Sequence, residues 1–121
     1  MVIDTSAILA VLNGEPEAET FADIILNDST RLMSAGTALE VLIVVRARKG
    51  KLGIKELDSF SKITQINIVN FDENQLTTAR YAFKPYGKGM GNSAKLNFGD
   101  CFAYALSKTS GEPLLLDLLH E

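Results

Sequence analysis

The chain has 121 residues, of which 46% are hydrophobic and 22% are charged, and its formal net charge is -3. This length suits one domain with a single core, and the acidic balance argues against broad electrostatic capture of nucleic acid. The longest apolar stretches, such as residues 41–45, fall far short of the ~20 residues that span a bilayer, and no basic segment precedes an apolar one as in a signal peptide. The single cysteine, Cys101, forms no internal disulfide, so we expect a reducing, cytoplasmic setting.

Hydrophobic periodicity predicts that short strands alternate with helices along the whole chain. The first half of the chain is predicted to hold a strand ending at Asp4, a helix over 5–12, a helix whose first turn holds Pro16, a strand over 31–34 and a helix over 37–49 closed by Gly50. The second half is predicted to hold a helix over 54–63, a strand over 66–71, a helix capped by Asp72, a helix over 100–109 and a last strand over 114–116. The helix capped by Asp72 would bury the face formed by Leu76, Ala79 and Phe83. Such alternation is typical of a parallel sheet covered by helices on both faces.

Three carboxylates lie at or near predicted helix N-termini: Asp4, Glu40 and Asp100. One interpretation is local, because Asp4 and Asp100 are good N-caps and the segment from Thr37 to Glu40 matches a capping box. The other is that these acids form one site, because residues that follow parallel strands gather at one edge of the sheet. Both interpretations stay open from spacing alone.

Carboxylates gathered at one edge would repel one another unless a divalent cation lay between them. Ligation by oxygen alone suits Mg²⁺ or Mn²⁺, so Asp4, Glu40 and Asp100 are candidate metal ligands. Ser6 lies one turn into the first helix, where its hydroxyl is placed to bond an acid or a water on the metal. A small polar residue chosen for packing is the alternative for Ser6.

A glycine-rich segment over 84–99 carries Lys84, Lys88 and Lys95 and little periodic apolar content. Glycines let backbone approach a phosphodiester and lysines supply charge, so these lysines are weak candidates for substrate binding, with surface solubility as the alternative. The basic cluster over 46–51 is better explained by the dipole at a helix C-terminus.

Several motifs resemble those of PIN-domain proteins of the VapC toxin group. They are Val2-Ile3-Asp4-Thr5-Ser6-Ala7, the segment 32–35 leading to Leu39-Glu40, Phe71-Asp72, and above all the run 96–106 with Tyr86-Gly87-Lys88-Gly89 before it and Gly111-Glu112-Pro113-Leu114-Leu115 after it. The likeness extends from residue 1 to about Leu116, and the run 96–106 with its flanks is its most specific part.

The resemblance implies a single PIN-like domain over residues 1–121, a three-layer α/β/α fold with four or five parallel strands. It implies a Mg²⁺- or Mn²⁺-dependent ribonuclease toxin that hydrolyses RNA phosphodiesters. By the same resemblance Asp4, Glu40 and Asp100 are the first three acids of the site, and Ser6 is the supporting hydroxyl. The partners it implies are a second copy of the chain, in a homodimer, and a cognate VapB-like antitoxin that blocks the acidic pocket.

The tail departs from the family pattern from about Leu116 onward. Counted from Asp100, the fourth acid of the family falls near His120, where no carboxylate stands, and Asp117 and Glu121 are out of register. Absence of that acid is expected to weaken binding of a second metal or of the attacking water, and absence of a last strand would leave the sheet edge unprotected. A truncated, frame-altered or divergent tail gives this pattern.

Two other functions compete with a toxin nuclease. One is a catalytically impaired PIN-like module that binds antitoxin without cleaving RNA. The other is phosphoryl transfer through Asp4, as in haloacid-dehalogenase-like phosphatases, but those enzymes place a second Asp where this chain has Ser6.

Overall fold

The computed structural model describes residues 1–83 and 97–116. The predicted substrate lysines Lys84, Lys88 and Lys95, and the atypical tail from Asp117 to Glu121, lie outside these residues. Within them the chain alternates between strands and helices as the periodicity predicts. The elements are β1 (Val2–Ile3), α1 (Thr5–Leu12), α2 (Ala18–Asn27), β2 (Leu32–Ser34), α3 (Ala35–Thr64), β3 (Asn67–Val69), α4 (Glu73–Phe83), α5 (Phe98–Ser110) and β4 (Leu114–Leu115).

The strands form a four-stranded parallel sheet in the order β3-β2-β1-β4. Val2 in β1 pairs with Leu32 on one side and with Leu114 on the other, so β1 is a central strand. The chain moves outward from β1 to β3 and then returns to the opposite side of β1. In open parallel sheets ligands bind outside the carboxyl ends of the strands, at such a reversal, and Asp4 directly follows β1.

Apolar clusters cover both faces of the sheet, and a further small cluster packs α4 against α5. Val2 and Ile3 are both fully buried, but Ile3 packs with Ile8, Ile25 and other residues of one cluster while Val2 belongs to a second cluster that includes Leu106. Successive side chains of a strand point to opposite faces, so two buried neighbours require that both faces be covered. The predicted three-layer α/β/α arrangement is thereby confirmed.

Helix α3 spans Ala35–Thr64 and contains one non-helical residue, Gly50, with φ +60° and ψ -145°. Left-handed φ costs glycine little, so the predicted end of a helix at Gly50 is confirmed as a break between two helical segments. No helix in the described residues has the length and apolarity that crossing a bilayer requires.

Some local predictions are wrong. Helix α2 begins at Ala18, so Pro16 precedes it rather than lying in its first turn. In α4, Leu76 is 57% exposed, whereas Gln75 is 3% exposed beside the buried Ala79. The Gln75 side-chain N–H donates a hydrogen bond of 2.8 Å to the Asn70 carbonyl, whereas its Oε1 is buried without a hydrogen-bond partner among the described residues.

Candidate active site

Asp4 lies at the end of β1 and caps α1. Its Oδ2 accepts hydrogen bonds from the Ser6 backbone N–H at 3.3 Å and from the Ser6 hydroxyl at 2.9 Å. The predicted capping role is therefore real, and Ser6 is placed as predicted to orient the acid. The Asp4 residue is only 7% exposed, which is deeper than a cap at a helix end requires.

The environment of Asp4 disfavours its charged form. Burial raises the pKa of the Asp4 carboxyl above its ordinary value, the hydrogen bonds from Ser6 oppose that shift, and the nearby Asp100 carboxylate adds to it. The other carboxylate oxygen, Oδ1, is buried and has no hydrogen-bond partner among the described residues. A buried, unpaired acceptor is costly, and such groups are often found where an ion binds.

Glu40 does not cap a helix, contrary to the capping-box interpretation. Helix α3 starts at Ala35 with Ser34 as its N-cap, so Thr37 lies within the helix and Glu40 lies beyond the first turn. Oε1 of Glu40 instead accepts a hydrogen bond of 2.5 Å from the Thr5 hydroxyl, which joins α3 to the start of α1. Glu40 thus approaches the residue that directly follows Asp4.

Asp100 takes part in a capping box at the start of α5, but not as the N-cap that the sequence suggested. Asn97 is the N-cap: its Oδ1 accepts a hydrogen bond of 2.9 Å from the Asp100 N–H, and Asp100 Oδ2 accepts one of 3.2 Å from the Asn97 N–H. Helix α5 consequently begins at Phe98 rather than at Asp100. Cys101, the next residue, is buried, and burial raises the pKa of its thiol.

Pairwise contacts, rather than one shared cluster, relate the three acids to one another. Asp4 is close enough to Asp100 for the two charges to interact, and the carboxylate of Glu40 lies against Gly99, the residue before Asp100. In residues 1–83 and 97–116, however, no group of three acidic, His or Cys side chains is arranged to hold a metal ion. Asp4 and Asp100 are hydrogen-bonded at the starts of their own helices, and Glu40 is hydrogen-bonded to Thr5 in α1.

The donor set fits a divalent cation in its chemistry. All the candidate ligands are carboxylate oxygens, which suit Mg²⁺ and Mn²⁺, and Oδ1 of Asp4 is free of hydrogen bonds from the described residues. A cation beside Asp4 would also favour the ionised carboxyl, which burial and Asp100 disfavour.

Two further residues of this site, Thr5 and Gly99, have no role that the sequence alone indicates. Thr5 was part of the family-like opening motif, and Gly99 preceded the third acid, but neither type of residue signals metal chemistry by itself. Their contacts to Glu40 depend on the approach of α1, α3 and α5, which no local pattern reveals.

Comparisons with known proteins agree with this architecture. A family model described as PIN domain matches residues 1–117. Ribonuclease VapC of Mycolicibacterium smegmatis is 46% identical over 115 residues, covering 95% of this chain and 88% of that protein. Ribonuclease VapC30 of Mycobacterium tuberculosis is also 46% identical over 115 residues, covering 95% of this chain and 87% of that protein.

Among solved structures, Mycobacterium tuberculosis VapC20, described as a toxin that cleaves the sarcin-ricin loop, superposes with a TM-score of 0.72. The match covers 96% of this chain and 88% of that chain at 13% identity, so it bears on the fold alone. The parallel sheet with helices on both faces and the sequence relatives therefore indicate the same family. The chain belongs to the PIN domain family and, within it, to the VapC ribonucleases.

Proposed function

We propose that this protein is an endoribonuclease toxin that depends on Mg²⁺ or Mn²⁺ and hydrolyses RNA phosphodiester bonds. The observation that carries the proposal is the buried, unpaired Oδ1 of Asp4, which lies at the sheet edge within electrostatic range of Asp100. The 46% identity to proteins named ribonuclease VapC supports the same reaction class.

The proposed roles follow from the position of each side chain. Asp4, Glu40 and Asp100 would hold the cation, and Ser6 orients the Asp4 carboxylate by donating to Oδ2. When bound, a divalent ion supplies charge neutralisation at the phosphate and makes a nearby water more acidic. Such an ion also explains how a chain of net charge -3 attracts a polyanion.

The remaining partners are proposed from the family. Lys84, Lys88 and Lys95 are candidates to contact the RNA backbone. A VapB-like antitoxin is the proposed inhibitor, and a homodimer is the proposed assembly. The rival function, an impaired module that binds antitoxin without cleaving RNA, is less well supported, because the relatives that cover 95% of this chain are named as ribonucleases.

An RNA-cleavage assay on the purified chain tests the proposal. Cleavage should require added Mg²⁺ or Mn²⁺, stop with a chelator, and be lost in Asp4→Asn. Asp58→Asn, which removes an exposed carboxylate of α3, is the matched control and should cleave like the wild type. Equal cleavage by wild type and Asp4→Asn would indicate a contaminating nuclease, and antitoxin binding without any cleavage would favour the impaired module.

A further inference from the structure

Glu40 and Gly99 are in unusually close contact. A Cβ built on Gly99 would lie 2.7 Å from Cδ of Glu40 and closer still to both of its carboxylate oxygens. That is far inside ordinary van der Waals separation, so any side chain at position 99 would occupy the space that the Glu40 carboxylate now fills. Absence of a side chain at Gly99 is what admits this carboxylate to the first turn of α5.

The backbone at Gly99 gives no other reason for a glycine. Gly99 is buried within α5, and in residues 1–83 and 97–116 the glycines with positive φ are Gly14, Gly50 and Gly111, so Gly99 is not one of them. Glycine within a helix lowers stability relative to alanine. Helix propensity and backbone conformation therefore do not explain the glycine at position 99, whereas the close contact with Glu40 does.

A second glycine provides an internal comparison. A Cβ on Gly36, in the first turn of α3, would overlap the ring of Phe102 from α5. That ring packs edge-to-face against Phe71 at 4.9 Å and against Phe98 at 5.0 Å between centroids, so it has little freedom to move. The atoms opposite Gly99 are the far end of a flexible side chain, which a new methyl group would displace without unpacking the core.

Thr5 holds the same carboxylate from the other side. Its hydroxyl donates the 2.5 Å hydrogen bond to Oε1 of Glu40, and Thr5 directly follows Asp4. The Glu40 carboxylate thus lies between the Thr5 hydroxyl, next to Asp4, and the backbone of Gly99, next to Asp100. These two contacts place the Glu40 carboxylate beside the chain neighbours of Asp4 and Asp100.

We propose that Gly99 and Thr5 are positioning residues that hold the Glu40 carboxylate where it shares a divalent cation with Asp4 and Asp100. This inference rests on the proposed metal dependence. Gly99 acts by leaving space, and Thr5 acts by donating a hydrogen bond. Neither residue needs to touch the cation or the RNA.

The first experiment measures Mn²⁺ affinity by calorimetric titration, and metal-free thermal unfolding, for the full chain and for Gly99→Ala. We expect the metal-free unfolding temperature to stay at or near that of the wild type, while Mn²⁺ affinity falls about 10- to 100-fold, as is usual when a group that orients a ligand is lost. In a Glu40→Ala background, Gly99→Ala should change the affinity little, because the side chain that it displaces is already absent.

The second experiment compares Thr5→Val, which keeps the shape but removes the hydroxyl, with Thr5→Ser, which keeps the hydroxyl. We expect Thr5→Val to weaken Mn²⁺ binding and Thr5→Ser to bind like the wild type. A merely structural role for Thr5 would show instead as equal affinities, with differences confined to metal-free unfolding.

The outcomes separate this inference from the proposed function. Failure of the wild type to bind Mn²⁺ would overturn the proposed metal dependence, and this inference with it. Wild-type binding that is unchanged in both Gly99→Ala and Thr5→Val would overturn this inference alone. An equal loss on Gly99→Ala with and without the Glu40 side chain would also overturn the role assigned to Gly99, because the effect would then not act through Glu40.

Discussion

The Ser34 hydroxyl accepts a hydrogen bond of 3.2 Å from the backbone N–H of Gly36, and this contact sets the start of α3. Because Ser34 rather than Thr37 begins the helix, Glu40 lies beyond the turn whose N–H groups need capping. Its carboxylate is therefore available to accept from Thr5 and to lie against Gly99. Because Ser34 caps α3, the Glu40 carboxylate does not bond the N–H groups of that helix and can contact Thr5 and Gly99 instead.

Asp4→Asn should stabilise the protein in the absence of metal at neutral pH. Because the pKa of Asp4 is raised in the folded state, the folded chain binds the Asp4 proton more tightly than the unfolded chain does. Wild-type stability relative to Asp4→Asn should consequently fall as the pH rises from the ordinary value of 3.8, and level off above the raised pKa. Urea unfolding with a chelator present, at a series of pH values, measures this difference.

Asp58→Asn is the control for that series, since Asp58 is exposed and its loss should not reproduce the trend. A metal-free Asp4→Asn protein that is less stable than wild type at pH 7 would contradict the burial argument.

Ser6→Ala should lower RNA cleavage about 10- to 100-fold by removing the hydroxyl that orients Asp4, the range typical for groups that orient metal ligands. The backbone N–H of Ser6 still donates to the same oxygen, so the loss should be smaller than in Asp4→Asn. Ser6→Thr keeps a hydroxyl at this position and is the matched control. Equal rates for Ser6→Ala and wild type would show that the hydroxyl does not contribute to cleavage.

Gly36→Ala should destabilise the fold by about 1–3 kcal/mol, the usual cost of overpacking a well-packed contact. The added methyl group meets the ring of Phe102, whose contacts with Phe71 and Phe98 restrict its movement. Denaturant unfolding of the metal-free protein measures the change. Gly99→Ala provides the contrast, and a loss of stability at Gly99 as large as that at Gly36 would contradict the distinction between the two glycines.

His120→Asp tests the tail, where the family pattern places its fourth acid. If absence of that acid limits this protein, the substitution should raise the metal-dependent rate of RNA cleavage above that of the wild type. His120→Asn, which adds no charge, is the control. An unchanged rate in His120→Asp would show that the three acids Asp4, Glu40 and Asp100 suffice for whatever activity the chain has.

Much of the fold could be predicted from the sequence because its signals are local. Alternating apolar periods indicate the order of strands and helices, and Gly50 marks the break in α3. Asp72 is predicted as a cap, and its Oδ1 accepts a hydrogen bond of 2.9 Å from the Gln75 N–H. Helix starts are not fixed by such local signals, because several polar residues near each start compete for the same unsatisfied N–H groups. Ser34 and Asn97 took the roles that Thr37 and Asp100 were expected to fill.

The sequence by itself determined the family-like order of Asp4, Glu40 and Asp100 and placed them after strands or at helix starts. Only the tertiary structure decided how deeply Asp4 is buried, which oxygen of Asp4 lacks a partner, and how Thr5 and Gly99 surround Glu40. The physical reason is that caps and periodicity act over a few neighbouring residues. Contacts such as Thr5 with Glu40, 35 residues apart, exist only after the sheet brings α1, α3 and α5 to one edge.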